Sequence, residues 1–214
     1  MYTYSDHKDL IYENEEPPVH TPSGETVYVI RTQDIHQTDN EEDMSVYSQT
    51  VLDCVADQSR AGIPENTNGV SMAGVSKHGE RAIQMFLEID PETQIIKQAG
   101  YRCRGDIGII ASASLAARKA EGLTIDEALK ITGEVLRDEL GKMPADRITR
   151  PFLASCALKG AIGDFLMREG ITYDELTAQV PCEQYSIDCI MCQHCAFREQ
   201  RYNLQFQKLG LVDA

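Results

Sequence analysis

Positive charge is scarce in this chain. Its 20 Lys and Arg face 34 Asp and Glu, leaving a net charge of −14. That balance argues against a nucleic-acid or anionic-membrane partner, either of which would repel it. Long apolar runs are missing too: none approaches the roughly 20 residues needed to cross a bilayer. The opening MYTYSDHKDLIYENEEPP has neither the basic start nor the apolar stretch of a secretory signal. No catalytic triad, phosphate loop or dinucleotide fingerprint is present, so the chain is not expected to have a catalytic activity of its own. These absences point to a cytoplasmic protein with reduced thiols, where cysteines suit metals better than disulfides. At 214 residues there is room for one buried core plus appendages, or for two small domains.

Cysteine is the residue that stands out. Of seven, four fall in fourteen residues, Cys182, Cys189, Cys192 and Cys195, within PCEQYSIDCIMCQHC. Three thiols separated by two residues each can be aimed at one point by a short looped segment, as the corners of a [4Fe–4S] cluster require. Zinc is the nearest competitor, but its knuckles usually come as paired cysteines with a long spacer between the pairs. Disulfides rank third. Cys189, Cys192 and Cys195 are the firmer ligands and Cys182 the expected fourth, with His194, a partner or a substrate as substitutes. Cys54 and Cys156 lie among apolar residues and read as core packing.

Organisation along the chain falls into three parts. Residues 1–45 form an acidic arm, with eleven Asp and Glu against Lys8 and Arg31. It holds one strand-like run, Thr26–Arg31. The arm is either solvated and partly disordered, or a docking element whose short strand adds to a sheet edge. Residues 46–170 read as one regular domain. A helix is expected over Val46–Asp57 and a turn-rich break at Asn66–Gly69. A hairpin of Ala82–Ile89 and Thr93–Tyr101 should turn at Pro91. A small-residue helix spans Ile107–Lys119. A capping box at Thr124 and Glu127 opens a helix through Leu136, and a last helix runs over Ile148–Arg168 to a terminator at Gly170. Helices packed on one side of a small antiparallel sheet make an α+β domain. Residues 171–214 form a cysteine-rich tail that starts with a short helix at ITYDELTAQ and carries aromatic and apolar residues beyond Ala196.

Several strings in the middle resemble the iron–sulfur scaffold family of IscU and the NifU N-terminal domain, over roughly residues 46–169. VYSQTVLDCVADQSRAG is similar to that family's opening YS-x-x-V-x-D. IIASASLAARKAEGLTIDEAL is similar to its AIASSS helix and the following G-K-S-L-D-E-A. PADRITRPFLASCALKGAIGDF is similar to its P-P-V-K-I-H-C-S and its terminal A-I-x-D-[YF]. The resemblance implies a pocket of three cysteines and an Asp that holds a nascent cluster, or zinc. The first cysteine position reads His78-Gly79-Glu80 here. The second falls on Asp106, or near Cys103 if three residues are inserted. The third falls on Arg150, whose guanidinium offers no lone pair. Two readings stay open. His78, Glu80, Asp106 and Cys103 could bind a mononuclear metal, or Arg150 could replace the metal's positive charge by pairing with Glu80 or Asp106. The second is preferred, because an arginine repels a divalent ion strongly in a low dielectric. The family's chaperone-recognition string L-P-P-V-K reads Met143-Pro144-Ala145-Asp146-Arg147, so handover to that chaperone is not carried over.

Three functions follow as expectations. One is iron–sulfur cluster assembly, with cluster holding moved to the C-terminal cysteines and partners drawn from that process. Another is an electron-transfer relay or structural subunit of a larger redox complex, with a degenerate scaffold domain. The last is a zinc-stabilised interaction protein. Assembly ranks first because the resemblance covers more of the chain than the cysteine motif does.

Overall fold

The computed structural model describes residues 43–74, 82–180 and 206–210, together with two short strands in the arm. Those strands, β1 (Val19–His20) and β2 (Thr26–Val27), pair antiparallel, with Val19 opposite Val27. The expected strand Thr26–Arg31 is thus described over its first two residues.

Three longer strands form the sheet of the domain: β3 (Gly69–Ala73), β4 (Ala82–Ile89) and β5 (Ile96–Arg104), antiparallel in the order β3-β4-β5. Alternation in β4 sends Ile83, Met85, Leu87 and Ile89 to one face, and all four belong to the main core. The expected hairpin is present, with its second strand starting at Ile96. Asp90 builds the turn: its Oδ1 accepts the N–H groups of Glu92 and Thr93 at 2.9 and 3.2 Å. Strand β3 is an addition to the elements expected. Five residues beginning with Gly69 carry little strand signal by themselves, and pairing with β4 makes them a strand.

The helices that pack with the sheet among the described residues are, in chain order, α1 (Gln49–Ala56), α2 (Ile107–Ala120), α3 (Ile125–Ala128), α4 (Gly133–Leu140), α5 (Arg150–Arg168) and α6 (Tyr173–Gln179). Ser48 caps α1, its hydroxyl accepting the Val51 N–H. The alanines and serines of α2 have little bulk, so neighbours approach closely and twelve of its fourteen residues are buried. Helix α5 packs against β3, β4, α2 and α4, and its residues from Arg150 to Leu166 are all buried. It ends where Gly170, at φ +84°, donates to the Met167 carbonyl while Ile171 donates to that of Leu166.

The single helix expected from Thr124 through Leu136 is two. The capping box forms, Glu127 Oε2 accepting the Thr124 N–H at 2.9 Å. The helix then stops after Ala128 because Thr132 is itself an N-cap, accepting from Val135. Ser155 on α5 donates to the Ile131 carbonyl at 2.8 Å and so holds the break in place. The packed body runs on to α6, whose Leu176 and the following Val180 join the main core.

Gly133 is where α4 presses on α5. A Cβ there would meet Phe152 Cγ at 2.4 Å and Phe152 Cα at 2.8 Å. Gly133→Ala gains under ~1 kcal/mol of helix propensity but forces the two backbones apart. We expect a net loss of about 1–2 kcal/mol, read as a lower urea midpoint with an unchanged m-value. A stabilised variant would show that α4 can shift without cost.

Candidate functional site

The site lies where the end of β5, the start of α2 and the start of α5 meet. Asp106 is the N-cap of α2, its Oδ1 accepting the Ile109 N–H at 3.0 Å. Its other oxygen, Oδ2, accepts two bonds from Arg150, Nε at 3.0 Å and an Nη at 2.9 Å. Arg150 is the first residue of α5, and its side chain is only 5% exposed against 14% for Asp106. Arg147, in the turn Ala145–Arg147 before α5, places its Nε 3.8 Å from the same oxygen. An Arg147 Nη1 N–H donates to the Tyr47 hydroxyl at 2.8 Å. Burial, with the charges of Asp106 and Asp146 behind it, pushes that phenol up to about 12 against the opposing pull of Arg150. Tyr47 therefore stays protonated and neutral at ordinary pH.

Two of the three positions that the family resemblance implies for ligand cysteines, the second in its gapless reading and the third, thus touch each other here, as carboxylate and guanidinium. Both Asp106 oxygens already accept hydrogen bonds. A divalent ion at Asp106 would have to displace Arg150 and sit beside two guanidinium groups. Cys103, the alternative at the second position, is fully buried in the core opposite Ile83 on β4. Burial, and then the negative charge of Asp106, raises its thiol well above the ordinary range, which disfavours the thiolate a metal needs. Among the described residues, no three His, Cys, Asp or Glu side chains are placed to hold a metal ion. His78 and Glu80 lie outside the described residues, as do Cys182, Cys189, Cys192 and Cys195. Cys54 and Cys156 are both buried and carry no disulfide.

Arg147 and Tyr47 have no signal of their own in the sequence. Each sits in a string set beside the family's, Tyr47 in the opening YS and Arg147 in the counterpart of L-P-P-V-K. Nothing in those strings says that two residues a hundred apart share a hydrogen bond. After α6, Val180 is the last described residue seated in the core. The chain is next described at 206–210, where Lys208 Nζ lies 2.6 Å from Asp174 on α6.

A three-stranded antiparallel sheet with helices on one side, and a site between a β5–α2 cap and the start of α5, define an α+β domain. The match to known families is direct: residues 46–172 match the NifU-like N-terminal domain, and the chain belongs to that family. It is 28% identical to the nitrogen fixation protein NifU of Azotobacter chroococcum over 68% of this chain and 46% of that protein. The chain therefore spans about half the length of that relative. It is 30% identical to the iron–sulfur cluster assembly scaffold protein IscU of Aquifex aeolicus, over 58% of this chain and 78% of that one. Among solved structures, the N-terminal part of a NifU-like protein from Brucella abortus superposes with a TM-score of 0.44 at 17% identity, covering 57% of this chain and 96% of that one. No helix among the described residues is long and apolar enough to cross a membrane.

Proposed function

We propose that this chain is an iron–sulfur cluster assembly protein that carries a [4Fe–4S] cluster on Cys182, Cys189, Cys192 and Cys195 and leaves the inherited pocket closed. The Asp106–Arg150 pair carries this reading. It fills two of the matched ligand positions with partners that satisfy each other, so the thiolates a cluster needs must come from elsewhere in the chain. The tail holds four within fourteen residues. Its cysteines lie between Val180, seated in the core, and Lys208, paired to α6, so both flanks of the segment connect to the same helix. The proposed partners are proteins of cluster assembly, and the proposed compartment is the cytoplasm.

The test is anaerobic purification with iron and sulfide analysis. The wild-type protein should be brown and oxygen-sensitive, with a broad absorbance near ~400 nm from thiolate-to-iron charge transfer. Cys192→Ser should remove most iron and sulfide, while His78→Ala and Glu80→Ala should change neither. A colourless protein with stoichiometric zinc would overturn the reading in favour of a zinc-stabilised interaction protein.

A second reading, an electron relay within a larger complex, is favoured by the same closed pocket. Four cysteines packed this closely in sequence suit retention, and retention through redox cycles is what a relay needs. Transfer to an apo-ferredoxin separates the two. Release within minutes supports assembly, and a cluster that stays put while its iron cycles between oxidation states supports the relay.

A further inference from the structure

Helix α4 packs against α5, α2 and α1, and its Gly133, Leu136 and Leu140 are buried there. By the helical period, Glu134, Val135 and Asp138 fall on the side away from Leu136 and Leu140. Past the helix the chain turns at Gly141, φ +74°, and runs on toward α5. Between this connection and α4 opens a groove of about 460 Å³, lined by Arg137, Asp138, Gly141, Lys142, Met143 and Ile148. Val135, one turn before Asp138, is 41% exposed, and Ile148 in the groove wall is 47% exposed. They are two of the four large apolar side chains that stay exposed among the described residues.

Charge along this face has an order of its own. In the middle, Arg137 donates from Nε and an Nη to Asp138 Oδ1 at 3.0 and 2.8 Å, so the two charges offset each other. The ends are not offset in this way. Glu134, in the first turn of α4, and Lys142, just past its last, make no ion pair among the described residues. Eight residues separate them, roughly 12 Å along a helix axis. An acid at one end, a base at the other and apolar side chains alongside make a face that complements itself when turned end for end.

We infer that a second copy of this chain docks on this face, the two α4 helices lying antiparallel about a two-fold axis. Lys142 of each copy then meets Glu134 of the other, and Val135 and Ile148 are covered between them. Charge selects a copy over other occupants. A strongly acidic or basic partner finds one matching end and one repelling end, whereas a second copy matches both. The net charge of −14 opposes association over the rest of the surface. At ~0.15 M salt that repulsion is screened beyond about 8 Å, while contacts within the face persist. An interface built around one short helix is small, so the pairing is weak and reversible.

Sedimentation equilibrium of the full chain, purified anaerobically, tests this. The weight-average mass should rise toward twice that of one chain between about 10 μM and 1 mM protein. Lys142→Glu and Glu134→Lys should each raise the dissociation constant at least ~10-fold, because each turns both end contacts repulsive. An equimolar mixture of these two variants should associate as well as the wild-type protein, since each supplies at both ends the charge the other needs. Neither residue belongs to the core, so neither change disturbs its packing. A wild-type chain that stays monomeric over that range leaves the groove to another occupant and overturns the inference. So does association that neither single variant weakens, or a mixture that associates no better than its components.

Discussion

Arg150→Ala should destabilise the folded protein by about 3–5 kcal/mol, the range for removing one partner of a buried ion pair. The guanidinium supplies two hydrogen bonds to one carboxylate oxygen inside a site where both side chains are largely hidden from water. Its removal leaves Asp106 charged, with the Ile109 N–H on one oxygen and only Arg147, 3.8 Å away, near the other. Urea unfolding measures the loss. Arg150→Lys should recover little of it, because a single ammonium cannot present the planar pair of N–H donors that both reach Oδ2. The double variant Arg150→Met/Asp106→Ser is the informative control. It removes both charges, keeps a hydroxyl to cap α2, and should recover most of the stability. A loss under ~1 kcal/mol for Arg150→Ala would mean that Arg147 moves in as the replacement partner. The same variant bears on function. If the cluster sits on the C-terminal cysteines, its iron content should match that of the wild-type protein however far its stability falls.

Much of the fold is legible in local residue patterns. The period-two pattern of Ala82–Ile89, the small residues of α2, the capping box at Thr124 and the glycine stop at Gly170 are such signals, and each element forms where its own residues favour it. Features set by distant neighbours are not legible in this way. Gly69–Ala73 becomes a strand through β4, and the break between α3 and α4 is held by a serine on α5. The site divides along the same line. That Arg150, and in the gapless reading Asp106, fall where the resemblance puts the family's cysteines is legible in the strings. The pairing of Arg150 with Asp106, and the presence of Arg147 and Tyr47 beside them, depend on how β5, α2 and α5 converge. The four-cysteine motif is plain in the sequence and lies outside the described residues, so its role rests on chemistry rather than on geometry.

The second large effect is expected at Asp164→Ala, at about 3 kcal/mol from an orphaned N–H and an unpaired, mostly buried arginine together. Asp164 is the acid in AIGDF, the string that resembles the family's terminal A-I-x-D-[YF], and its place on α5 explains its use. Strand β3 lies at the edge of the sheet, and the Val70 N–H turns away from β4. Asp164 Oδ2 accepts that N–H at 2.8 Å and is itself held by Arg168, one turn on, at 2.7 and 3.0 Å. Gly69, next in line, lies so close to α5 that a Cβ would come 2.6 Å from the Ala161 carbonyl. The edge strand is therefore fastened to the helix by one carboxylate where the backbones are too close for side chains. Asp164→Asn keeps an acceptor for Val70 and loses the charge facing Arg168, so its loss should be smaller, about 1–2 kcal/mol. Amide exchange separates a local effect from a global one. In Asp164→Ala the Val70 amide should exchange faster than the β4 amides by more than the change in global stability accounts for. Equal acceleration across β3 and β4 would mean that Asp164 contributes only to overall stability and does not fasten the edge strand locally.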